Sequence, residues 1–81
     1  MNIEKRLKSI IMNVALNGIR EEDISKDTIL TIDLGYDSIK LVELVVEIEN
    51  EFNIIMDDED LDVEKLSVYN KLLETIIAKV S

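Results

Sequence analysis

Apolar residues return along this chain with the period of a helix in three long stretches. In the first, Ile3, Leu7, Ile10, Ile11 and Val14 follow i, i+4, i+7, i+8 and i+11, which is a single stripe on a helix. Asn2 suits the N-cap and Gly18 the C′ position beyond the end, so a helix is predicted over residues 3–16. From Ile19 to Asp37 the period is lost, and Ile24, Ile29, Leu30, Ile32 and Leu34 stand singly among Asp, Ser and Thr. These side chains need cover, so the predicted connection is long but ordered, pinned across the helix ends, with a short turn near Glu21–Ile24.

A second helix is predicted from Ser38 to Phe52. At about 100° per residue, Leu41, Leu44, Val45, Ile48 and Phe52 gather on one side as a core face. Ile39, Val42 and Val46 form a second apolar stripe about 140° away, bordered by Glu43, Glu49 and Asn50. One core face is enough for a surface helix. The second stripe therefore either packs under the long connection or meets a partner.

The run Asp57-Asp58-Glu59-Asp60-Leu61-Asp62 invites comparison with a calcium loop, and the comparison fails. Counted from Asp58, the sixth position is Val63 where the turn needs Gly, and the twelfth is Tyr69 where a bidentate Glu belongs. These acids are expected instead to cap and start a short third helix, where negative charge is favoured by ~0.3–1 kcal/mol. Ser67 reads as the N-cap of a last helix whose Val68, Leu72, Leu73, Ile76, Ile77 and Val80 face the core. The expected fold is all-α: a four-helix bundle with three longer helices, one short third helix and a long ordered loop between helices 1 and 2. Residues 1–81 are expected to form a single domain.

Charge and composition narrow the function. Residues 1–20 set Lys5, Arg6, Lys8 and Arg20 against Glu4. Residues 21–64 set sixteen acids against Lys26 and Lys40, and residues 65–81 set Lys65, Lys71 and Lys79 against Glu74. The net charge of −9 argues against nucleic acid and against an anionic membrane. With no apolar signal core and no apolar run near ~18 residues, the cytoplasm is the expected location; a monomer is expected as well. There is no cysteine and no histidine, which removes disulfides, thiolate nucleophiles and the commonest metal ligand. Ser38 thus has no imidazole to activate it, Lys40 lies two residues away on a different helical face, and Gly18 and Gly35 make no phosphate loop. No catalytic and no metal site is expected. The residues alone lead to an acidic helical binding module.

The segment Asp33-Leu34-Gly35-Tyr36-Asp37-Ser38-Ile39-Lys40-Leu41-Val42-Glu43-Leu44, continuing to Glu51-Phe52, resembles the phosphopantetheine attachment segment of acyl carrier proteins. The likeness extends over essentially the whole chain: amphipathic first helix, long loop, acidic short helix and the Ser67-Val68 start of the last. It implies a carrier and not an enzyme. In that reading Ser38 receives 4′-phosphopantetheine from coenzyme A through a phosphopantetheinyl transferase, and the arm supplies the thiol the sequence lacks. Ser38 at a helix start suits a phosphate, and Asp37 caps that helix and bears on transferase recognition.

The resemblance also makes Ile39, Val42 and Val46 partner contacts, with Glu43 and Glu49 pairing to basic docking patches on a ketosynthase, an acyltransferase or acyl-activating enzymes. Lys40 and Asn50 depart from fatty-acid carriers, which usually have acids there. Tyr36 replaces a small residue, and either rests against the arm or covers the loop. Asp-Ser-Ile-Lys resembles polyketide-type carriers, so acyl carriage in polyketide or specialised lipid biosynthesis is expected first, fatty acid synthesis next and aminoacyl or peptidyl carriage third. From another class, an unmodified acidic adaptor for a basic protein surface also fits the composition.

Overall fold

The computed structural model describes residues 2–15 and 18–80. Among these, the chain forms α1 (Ile3–Ala15), α2 (Leu30–Asp33), α3 (Ser38–Phe52), α4 (Val63–Ser67) and α5 (Tyr69–Val80), with 3-10 turns at Glu21–Asp23 and Asp58–Leu61. The expected all-α bundle of three long helices is what forms.

α1 starts where Asn2 accepts the Lys5 N–H at 3.0 Å, and it buries Leu7, Ile10, Ile11 and Val14 together with Ala15. Ile3 is partly buried against this core. Gly18 adopts φ 77, the left-handed region that suits a C′ glycine. Leu16 and Asn17, where the predicted helix would finish, lie outside the described residues. α3 has the predicted bounds and core face, with Leu41, Leu44, Val45, Ile48 and Phe52 all buried. It ends at Asn53, whose φ of 54 and ψ of 49 make it a left-handed cap. Arg6 ties the two helices, its Nε donating to Glu51 Oε2 at 2.7 Å while the guanidinium stacks 4.8 Å from the centre of the Phe52 ring.

The long connection contains more structure than the expected single turn. Leu30–Asp33 is a short helix, invisible to a periodicity argument because four residues cannot display a period. Ile29 pairs with Val68 in an isolated antiparallel bridge, and the Tyr69 N–H donates to the Thr28 carbonyl at 3.0 Å. Ile24, Leu30, Leu34 and Tyr36 are buried. Ile32 is not: it is 75% exposed, because it lies on the outer side of the short helix.

That bridge also corrects the start of the last helix. Ser67 does not cap it; Ser67 is buried and ends α4. Val68 is drawn into extended geometry by Ile29, and its carbonyl accepts the Leu72 N–H at 3.0 Å, so Val68 holds the cap position. α5 buries Tyr69, Leu72, Leu73 and Ile76, while Ile77 and Val80, expected to face the core, are exposed. The acid run does cap and start helical structure, but in two pieces. Asp60 Oδ2 accepts the Asp57 N–H at the 3-10 turn, and Asp62 accepts the Glu64 N–H at the start of α4.

Two buried tyrosines are used differently. The Tyr36 hydroxyl donates to the Ile11 carbonyl at 2.7 Å. The Tyr69 hydroxyl finds no hydrogen-bond partner among the described residues. Burial, with smaller contributions from Glu4 and Glu21, pushes the Tyr69 hydroxyl up to about 12. Tyr36→Phe should therefore cost about 1 kcal/mol in urea unfolding at neutral pH, whereas Tyr69→Phe should be neutral or stabilising. A phenol whose folded pKa exceeds its unfolded value holds its proton longer in the native state. Stability should thus fall as pH rises from about 10 towards 12, and fall less steeply in Tyr69→Phe.

Candidate functional site

The approach to α3 is set residue by residue. Gly35 takes φ 72, where a β-carbon would cost about 1–2 kcal/mol, and so reverses the chain after Leu34. Tyr36 then plunges into the core, its N–H donating to the Leu30 carbonyl at 3.0 Å. It is covered by the bundle and anchors the loop to α1. Asp37 is extended (φ −112, ψ −178), and its Oδ1 accepts the Lys40 N–H at 2.8 Å while its carbonyl accepts the Leu41 N–H. Asp37 is thus the N-cap, and Ser38 follows as the first residue of α3, exposed at the helix's positive end.

Beside Ser38 opens an apolar cleft of about 230 Å³. One wall comes from α3, with Leu41, Val42, Val45 and Val46; the other comes from Leu61, Val63 and Leu66. Nothing in the sequence pattern announces this cleft, because Leu61 and Val63 lie in a run dominated by acids. The second apolar stripe of α3 faces outward, with Ile39 68%, Val42 64% and Val46 48% exposed. The long connection does not cover it.

The acids of α3 divide into two pairs. Glu49 is half-buried, and its Oε2 accepts the Met56 N–H at 2.9 Å; Glu51 is paired with Arg6. Glu43 and Glu47 are exposed and, with Val42 and Val46, line a shallow groove whose other side is Ile10, Asn13 and Val14 of α1. Glu47 was not singled out by the sequence, although its i+4 spacing from Glu43 places both on one row. Lys40 is half-buried, and its Nζ donates to the Val14 carbonyl at 3.1 Å, near the negative end of α1. Its charge is directed to α1. Ser38, Asp37, Ile39, Val42 and Val46 are therefore brought together with Glu43, whereas the Glu49 carboxylate is engaged by the backbone after α3.

The described residues thus form a small helical bundle that presents a capped, exposed serine between an apolar cleft and an outward apolar stripe, the arrangement of a carrier module. The family model of the phosphopantetheine attachment site matches residues 5–76. An acyl carrier protein of Cyanidium caldarium is 42% identical over 79 residues, covering 98% of this chain and 87% of the relative. One from Desulforapulum autotrophicum is 39% identical over 79 residues, covering 98% and 99%. One from Chlorobium phaeobacteroides is 32% identical over 78 residues, covering 94% and 97%.

The chain belongs to the acyl carrier protein family. Its prosthetic group is a covalently attached 4′-phosphopantetheine, it is a carrier and not an enzyme, and its kind interacts with phosphopantetheinyl transferases and acyl-handling enzymes. No helix among the described residues is long and apolar enough to cross a membrane.

Replacing the cap tests the geometry. Asp37→Ala should destabilise by about 1 kcal/mol in chemical unfolding, whereas Asp37→Asn, which still accepts the Lys40 N–H, should lie within a few tenths of the parent.

Proposed function

We propose that Ser38 is the attachment residue, and that the chain carries acyl intermediates as one domain for polyketide or specialised lipid biosynthesis. The observation that carries the assignment is the placement of the Ser38 side chain, exposed on the first turn of α3 and opening onto an apolar cleft. The residues fit a phosphate ester there. Asp37 occupies only the Lys40 N–H, so the earlier donors of the turn and the helix dipole remain directed at a phosphate on Ser38. When attached, the arm supplies the thiol that bears acyl groups as thioesters. The cleft is lined almost wholly by aliphatic side chains, which suits the aliphatic part of a short acyl chain.

Partner enzymes dock on Ile39, Val42 and Val46, with Glu43 and Glu47 as the free acids beside them. Both are available to lysine and arginine on a ketosynthase or acyltransferase, raising encounter rates in a salt-sensitive way. The placing in specialised biosynthesis is supported by this reduced set of acids. Lys40 and Asn50 stand where fatty-acid carriers usually have acids, and the Glu49 carboxylate is held by Met56.

Incubation with coenzyme A, magnesium and a broad-specificity phosphopantetheinyl transferase should add one phosphopantetheine to the intact mass of the parent and none to Ser38→Ala. An unchanged parent mass with intact helicity would overturn the assignment. Val42→Asp should load normally yet lose transfer to a partner ketosynthase by tenfold or so, as expected when a central apolar contact of ~1.4 kcal/mol or more is removed. Comparison of malonyl, longer acyl and aminoacyl donors checks the pathway, and productive use by fatty acid synthase enzymes alone would reverse the order given.

A further inference from the structure

The outer wall of the cleft beside Ser38 is poorly anchored by packing. Between buried Met56 and buried Leu66, none of residues 57–65 is buried, yet Leu61 and Val63 from this stretch line the cleft. Full burial therefore anchors the wall only at Leu66, with Leu61 and Val63 about half covered, and the segment before it opens at small cost unless polar contacts restrain it.

The restraint comes from the far end of α5. Lys79 Nζ lies 3.0 Å from Asp57 Oδ2 and 3.0 Å from Asp60 Oδ2. Asp60 Oδ2 also accepts the Asp57 N–H at 3.0 Å, and the Asp60 N–H donates to the Asp57 carbonyl at 2.8 Å. One ammonium thus ties the residue that caps the 3-10 turn to Asp60, which directly precedes its last residue, Leu61. The side chains of Lys79 and Asp60 are only 20% and 16% exposed, so water screens this pair less than an open surface pair. The hydrogen bond from Lys79 also holds the Asp60 carboxyl below its ordinary value.

We infer that Lys79 is a positioning residue for cargo: by clasping Asp57 and Asp60 to α5 it holds Leu61 as the closed outer wall of the cleft, and so sets how well an acyl chain attached through Ser38 is sheltered from solvent nucleophiles. This rests on the proposed attachment at Ser38 and deepens it. The clasp acts only on cargo long enough to reach past the mouth of the cleft, so its effect depends on chain length. A merely structural ion pair would not.

The experiment loads the holo-protein with an octanoyl or an acetyl thioester and follows cleavage by hydroxylamine in the parent, Lys79→Met and Lys79→Arg. In the parent, octanoyl should be released more slowly than acetyl. Lys79→Met should speed octanoyl release by about threefold, as loss of a partly screened ion-pair network allows, and leave acetyl release unchanged. Lys79→Arg should restore the parent rate. Amide exchange of residues 57–62 should rise in parallel in Lys79→Met, and circular dichroism should show the helices retained. Faster exchange at 57–62 with an unchanged octanoyl rate would overturn the inference while leaving attachment at Ser38 standing. Equal acceleration of both thioesters would also overturn it, since that reports general loosening. A parent that takes no phosphopantetheine at Ser38 would overturn the attachment and, with it, the clasp.

Discussion

Ser38 stands where it does because Tyr36, two residues earlier, is fastened inside the bundle. Its ring is buried, its hydroxyl donates to the Ile11 carbonyl in the middle of α1, and its N–H donates to Leu30 in the loop. A tyrosine so held fixes both the height and the direction at which the chain leaves the core. Asp37 must then be extended and Ser38 must open a helix, with Gly35 supplying the positive φ that turns the chain into this path. Lys40 closes the same corner by capping a carbonyl near the end of α1. The N-terminus of α3 is therefore set against α1 by two hydrogen bonds, from Tyr36 to Ile11 and from Lys40 to Val14. This is the rigidity a site needs when its own functional side chain is exposed.

The bundle pairs that rigid corner with a looser one. α3 contributes apolar residues to three surfaces at once: the core, the cleft beside Ser38 and the outward stripe. Along the outer wall of the cleft, the stretch from Asp57 to Lys65 has no fully buried residue and is organised by carboxylates, first around the 3-10 turn and then at the start of α4. Apolar packing holds what must not move, and charged contacts hold what encloses the cleft. The high negative charge is accordingly not one undifferentiated surface. Asp37, Asp57, Asp60 and Asp62 cap turns or helices, Glu49 and Glu51 brace the end of α3, and Glu43 and Glu47 remain open beside the outward stripe.

Much of this was legible in the residues. The bounds and buried face of α3, the stripe of α1, and the caps at Asn2 and Asp37 follow from local rules, because helix periodicity and side-chain capping involve residues within four positions of one another. The outward apolar stripe was legible for the same reason, since a helix with two apolar sides cannot bury both against one core. The motif from Asp33 to Leu44 carried the family. Absence of cysteine and histidine likewise required no structure to read.

Long-range contacts decided the rest. The bridge between Ile29 and Val68 moved the start of the last helix from Ser67 to Val68, and the packing of the bundle leaves Ile77 and Val80 exposed, which no local pattern in residues 67–80 discloses. Four residues of α2 are too few to show a period. The engagement of Glu49 by Met56, of Lys40 by Val14 and of Lys79 by Asp57 and Asp60 depends on elements brought together only by the fold. The cleft beside Ser38 belongs to this second group as well, because its walls are separated in sequence and become neighbours only when α3 and the segment after it pack. Local spacing was enough for α1 and α3, their buried faces and the family motif. Tertiary structure decided which charges stay free and what lies next to the serine, because both depend on distances across the bundle that no spacing along the chain encodes.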